Sequence, residues 1–120
     1  MSLIFWWIPF ILYNIFIFFL SSLSKIPGSD SRIPDEISHF LEFGVLSIFF
    51  LLGWTRGFKK NIQKKYLFLI IFLSFLIAIS DETHQIFVPG RIFSIKDLLF
   101  DLFGISFFSI LIYSLKKHPD

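Results

Sequence analysis

Cysteine is absent from the 120 residues, which removes disulfides, thiolate metal sites and cysteine nucleophiles together and leaves the redox compartment open. Charge is scarce as well. Only 17% of the chain is Asp, Glu, Lys or Arg, against about 25% in an ordinary soluble domain. With 55% hydrophobic and 21% aromatic residues and a mean hydropathy of +0.75, the chain is too apolar for a water-soluble core and shell. No Lys or Arg precedes Lys25, and Ser21-Ser22-Leu23-Ser24 makes a poor cleavage site, so the first apolar run is expected to be a retained helix and not a secretory leader. The pI near 9.0 does not indicate nucleic acid, because the excess bases lie in two short segments beside apolar runs.

What the chain has instead is four runs of membrane-spanning length. About 20 predominantly apolar residues are needed to cross a hydrocarbon core about 30 Å thick at about 1.5 Å per residue. Residues 3–23, 34–54, 66–86 and 94–115 meet that requirement. Pro9 falls about two turns into the first, where a span tolerates it. Lys25 to Ile33 reads as a loop on its Pro27-Gly28 and Ser29-Asp30-Ser31 turn formers, with Pro34 suited to a first helical turn. Val88-Pro89-Gly90-Arg91 reads as a tight turn between the third and fourth spans. The expected fold is all-α: a single domain over 1–120, built as a four-helix transmembrane bundle.

The ends of the spans differ in charge. Arg56, Lys59, Lys60, Lys64, Lys65, Lys116 and Lys117 fall on one side with a single acid, Asp120. Lys25, Arg32, Arg91 and Lys96 fall on the other with Asp30, Asp35, Glu36, Glu42, Asp81, Glu82, Asp97 and Asp101. Short loops rich in Lys and Arg stay in the cytoplasm, so both termini are expected there, with the acidic end facing outward.

Charges within a span cost roughly 2.5–3.5 kcal/mol each at its centre on insertion scales, and they normally face the bundle interior or a functional site. Asp35, His39 and Glu42 are spaced four and three apart and share a helical face. Glu82 shares a face with Gln85, and Asp81 does too. Asp97 and Asp101 stand one turn apart with Gly104 on the same stripe, a small residue that allows close helix approach. Three helices therefore converge on one end, and the Pro89-Gly90 turn can bring Arg91 over them. Carboxylates crowded in a low dielectric cannot all stay ionised. At least one of Glu42 and Asp101 is therefore expected to carry a proton, unless His39, Arg91 or a bound cation compensates it. Asp35, Glu36, His84 and Lys96, near the interface, are expected in solvated or capping roles.

These same residues resemble the VanZ-like family of bacterial membrane proteins, related to an accessory protein of teicoplanin resistance. Asp35-Glu36-Ile37-Ser38-His39-Phe40-Leu41-Glu42-Phe43-Gly44-Val45-Leu46 is similar to the family's Asp-Lys-x-x-His-Phe-x-x-Tyr-x-x-Leu, with Glu36 and Phe43 where Lys and Tyr are usual. Asp81-Glu82-Thr83-His84-Gln85-Ile86-Phe87-Val88-Pro89-Gly90-Arg91, then Ser94, Asp97, Asp101 and Gly104, resembles the second family block. There Asp101 stands for the usual Asn, and Phe108 for a small residue. The resemblance implies a four-helix protein of the bacterial inner membrane, linked in some members to glycopeptide tolerance, and it brings no reaction with it.

Three readings of the cluster follow. It is a pocket for a lipid-linked or amphipathic envelope molecule, with Arg91 for a phosphate or carboxylate. Alternatively it is an enzyme site in which His39 and Glu42 or Glu82 form an acid–base pair, or an assembly lock. A pocket should be open to the outer leaflet, whereas a lock should have every carboxylate paired and no cavity. Metal catalysis by His39, Glu42, Glu82 and Asp97 ranks below these, because no short-spaced His motif is present. No metal ligand set and no cofactor are assigned. The candidate site residues are Asp35, His39, Glu42, Asp81, Glu82, Gln85, Arg91, Ser94, Asp97 and Asp101.

Overall fold

The computed structural model describes residues 3–22, 35–89 and 93–115, with the side chains of Leu3 and Asp35 left aside. Its elements are α1 (Leu3–Ser22), α2 (Asp35–Trp54), α3 (Lys64–Gln85) and α4 (Ile95–Leu115). All four are long and apolar enough to cross a membrane, and no strand occurs among the described residues. α1 runs unbroken through Pro9. α3 starts two residues before the apolar run, at Lys64, because Lys is a good helix former whose stem lies along apolar surface while its ammonium stays in water. The expected loop from Lys25 to Ile33, and Lys116 and Lys117, lie outside the described residues.

The helices alternate in direction. At one end, Gly57 in the α2–α3 connection lies against the Trp6 ring and Gly53 against the Trp7 ring, while Lys59 stands 5.4 Å over Trp6. The start of α1 therefore meets the basic turn. At the other end, Ser22 of α1 touches His84 of α3 at 2.9 Å. This end also carries the start of α2 and, through Ser94 and Glu82, the start of α4.

α2 is the central helix, packed most extensively on α4 and next on α1. Its buried side chains contribute to two layers. Phe43 and Leu46 join Ile17, Ala78, Leu98 and Ile105; further along, Phe50 and Leu51 join Ile62, Leu67 and Ile70. Outside these layers the surface is apolar, with Ile4, Leu12, Ile15, Phe68, Phe87 and Leu99 all at least 60% exposed. Such a surface fits lipid tails and not water.

Small residues set the α2–α4 distance. A Cβ on Gly104 would run into the Phe40 carbonyl, and one on Gly44 would run into the Phe108 ring. The aromatic at position 108 is thus seated over a glycine of the facing helix, large against small, and the two backbones stay close.

Candidate functional site

The polar end is organised around the start of α4. Ser94 caps that helix, its Oγ accepting the Asp97 N–H at 3.2 Å. In a capping box the acid three positions on would reach back to the cap residue's own N–H. Here Glu82 of α3 takes that place, its Oε2 accepting the Ser94 N–H at 3.1 Å. Asp97 is left to face α2 instead, with Oδ2 3.4 Å from His39 Nε2.

One turn along α4, Asp101 reaches the other side of the same ring. His39 Nδ1 and Asp101 Oδ1 are hydrogen-bonded at 2.7 Å. A side chain as short as Asp can span this gap only because Gly104, three residues on, lets α4 lie against Phe40, the neighbour of His39. Glu82 completes the ring's surroundings with Oε1 3.9 Å from Nε2. Phe43 covers one face of the imidazole, nearly parallel at 12° with centroids 6.3 Å apart. An imidazole from α2 thus stands among three carboxylates from α3 and α4. The Glu82 and Asp101 side chains are fully buried, and His39 and Asp97 are 13% and 19% exposed.

The remaining candidates distribute around this centre. Asp81 and Gln85 are buried with Glu82 along α3. Glu42 is half-buried one turn below His39, and its carbonyl accepts the Tyr13 hydroxyl at 2.8 Å, which ties α1 to α2. Asn14, the other polar residue of α1's middle, turns back to the Phe10 carbonyl of its own helix. Ser94 is the cap. Asp35 opens α2, but its side chain lies outside what is described, as do Gly90 and Arg91 entirely. At the rim Lys96 and Glu36 form an exposed ion pair at 2.7 Å.

His84 was expected at the interface in a solvated or capping role. It is half-buried and stacked on Phe18 of α1, with centroids 4.2 Å apart. Its Nε2 stands 2.9 Å from Ser22 Oγ. Since the single Ser22 hydroxyl hydrogen goes to the Phe18 carbonyl at 2.8 Å, the imidazole N–H donates to the serine. His84 is thus a tether between α1 and α3. Ser47, Ser74 and Ser109, one on each of α2, α3 and α4, are also fully buried. Nothing in the sequence distinguishes these serines from the others, since small residues at helix contacts carry no charge or motif.

A groove of about 440 Å³ opens beside α1, lined by Phe10, Phe50, Leu73, Leu76, Ile77 and Ser80. From Leu73 to Ser80 it follows α3 for about 10 Å at the helical rise per residue, toward the end that bears Asp81 and Glu82.

Four apolar spanning helices with an ionisable cluster at one end of the bundle define a multi-pass membrane protein. The chain matches the VanZ/LLP1 family over residues 3–117 and belongs to that family. No curated protein and no solved structure matches it.

Proposed function

We propose that the protein is a cell-envelope component of the bacterial cytoplasmic membrane that holds a lipid-linked or amphipathic envelope molecule. The polar end faces outward, since the basic Thr55–Lys65 connector belongs on the cytoplasmic side. The reading rests on one juxtaposition. An apolar groove long enough for part of an acyl chain runs beside α1 toward a polar end where a partly buried imidazole and buried carboxylates gather. An assembly lock would leave no cavity, yet a groove stands beside α1; Glu82 and Asp101 each pair with His39, but Glu82 Oε1 and Asp101 Oδ2 are buried with no hydrogen-bond partner. Such groups are costly unless something else satisfies them. Arg91, which follows Pro89-Gly90 in the sequence, supplies an anion-binding group for a phosphate or carboxylate. Altered glycopeptide susceptibility, teicoplanin included, would follow from engaging such a molecule at the outer leaflet.

The test is mass spectrometry of the amphipathic molecules that copurify with the detergent-solubilised protein. Leu73→Trp fills the groove and should lower the retained amount at least several-fold, and Arg91→Ala should deplete the anionic species selectively. Identical retention by wild type and both variants would refute the reading.

A further inference from the structure

We propose that His39, Glu82 and Asp101 form a binding site for one divalent metal ion, of the kind served by mixed nitrogen and oxygen ligands. One imidazole nitrogen and one oxygen from each carboxylate lie within 4.8 Å of one another. Two ligands held about 2.0–2.2 Å from a common ion stand at most about 4.4 Å apart. Three ligands cannot all lie opposite one another, and in a tetrahedral shell they stand about 3.3–3.6 Å apart, so the side chains close on one ion by drawing together by up to about 1.5 Å.

Two independent observations point to a ligand here. Glu82 Oε1 and Asp101 Oδ2 belong to side chains with no solvent exposure, and neither atom has a hydrogen-bond partner. Each residue commits its other oxygen to the protein: Glu82 Oε2 to the Ser94 N–H and Asp101 Oδ1 to His39. The orphan oxygen on each is what an ion would take. Charge supplies the second argument. A dication bound by one neutral imidazole and two carboxylates leaves the three groups with no net charge, which relieves the penalty of burying anions in a low dielectric. Without it, a single imidazolium faces three carboxylates, Asp97 included.

Ligand chemistry narrows the ion. Imidazole with carboxylate suits Zn²⁺ or Mn²⁺ better than Mg²⁺ or Ca²⁺, which favour all-oxygen shells. The three ligands come from α2, α3 and α4, so the ion would clamp those helices together. Three protein ligands also leave positions open to water or an anionic group. The sequence shows no metal motif because the ligands lie 43 and 19 positions apart along the chain, at 39, 82 and 101.

The experiment uses the full chain in detergent, stripped with a chelator and titrated with Mn²⁺ while the spin-resonance signal of the free aqua ion is followed. Zn²⁺ competition and total metal analysis are run in parallel. We expect one saturable site per chain, with Zn²⁺ displacing Mn²⁺. Glu82→Gln and Asp101→Asn should each weaken binding at least about tenfold, and Glu36→Gln, an acid at the exposed rim, should bind as wild type. Helicity by circular dichroism checks that each variant is folded. If a ligand variant does not fold, the wild-type titration alone still decides. Absence of saturable Mn²⁺ and Zn²⁺ binding to folded wild type overturns the proposal, as does equal affinity in wild type, Glu82→Gln and Asp101→Asn. No lipid is added, so this outcome is separate from that of the envelope-molecule reading.

Discussion

The two ends of the bundle are held together by different physics. At the basic end aromatic rings do the packing: Trp7 meets Phe10 and Phe50 edge-on at 5.6 and 5.7 Å, and Trp54 tilts against Tyr66. The α2–α3 connection there folds through three consecutive residues with positive φ, Arg56, Gly57 and Phe58. At the acidic end the buried polar contacts converge on His39, beneath an exposed ion pair at the rim. Dispersion between large rings is spread over many atom pairs and degrades gradually. A buried ionic cluster depends on each member, because removing one leaves the others uncompensated. The same chain should therefore be tolerant at one end and brittle at the other.

The sharpest way to break this comparison is to ask which end faces the cytoplasm. The chain has no cysteine, so single cysteines report cleanly. Gln63, exposed just before α3 at the basic end, should be unreactive as Gln63→Cys toward an impermeant maleimide in intact cells and fully labelled after permeabilisation. Ser29→Cys, in the sequence between α1 and α2, should behave the other way. Labelling of Gln63→Cys in intact cells would reverse the orientation assigned to the polar end.

Next in size is the loss of the central imidazole. His39→Ala removes the group shared by Asp97, Asp101 and Glu82 and should cost about 3–5 kcal/mol of stability in detergent, the usual penalty for orphaning a buried charge. Asp101→Asn keeps the hydrogen-bond geometry at His39 and should cost much less. If His39→Ala and Asp101→Asn melt together, the ring is not the centre of the cluster. The counterpart at the basic end is Gly57→Ala. Its φ of +74° is left-handed, and the added Cβ would meet the Trp6 ring at 2.7 Å. The left-handed backbone costs a non-glycine residue about 1–2 kcal/mol, and a ring edge can shift where a backbone atom cannot. Denaturation of the two variants side by side measures the contrast between the ends.

Much of this was legible from composition and spacing, and the reasons for the rest are specific. The four helices follow from apolar runs whose length matches a bilayer, so their bounds fall within two residues of those expected. The convergence of His39, Glu82, Asp97 and Asp101 followed from face-sharing within each helix plus alternating direction. What periodicity cannot supply is which residue meets which across helices. The acid–base reading pairs His39 with Glu42 or Glu82, and Glu82 does stand 3.9 Å from the ring, but the hydrogen-bond partner is Asp101, 62 residues away. That choice is made by Gly104 and Phe40, whose contact sets the α2–α4 distance. The tether of His84 to Ser22 and Phe18 was illegible for the same reason. The positive φ at Arg56 and Phe58 was hidden because neither residue type signals a left-handed turn. Arg91, prominent in the sequence, lies outside the described residues, so its part in the site rests on the motif alone.

The smallest effect tests whether burial, and not the presence of charge, sets the brittleness of the acidic end. Lys96 and Glu36 form an ion pair as short as that between His39 and Asp101, at 2.7 Å, but their side chains are 66% and 30% exposed. An exposed pair gains little, because water and salt screen the attraction and two long side chains lose rotamer freedom in making it. Exchanging the two charges, Glu36→Lys with Lys96→Glu, preserves the pair. The double variant should melt as wild type does. The single variant Lys96→Glu, which sets two acids side by side, should fall slightly at low salt and recover at high salt. His39→Ala should show no such recovery, since salt does not reach fully buried carboxylates. A large, salt-insensitive loss from Lys96→Glu would mean that the rim is as dry as the cluster beneath it. The division between a solvated rim and a buried centre would then have to be redrawn one turn further out.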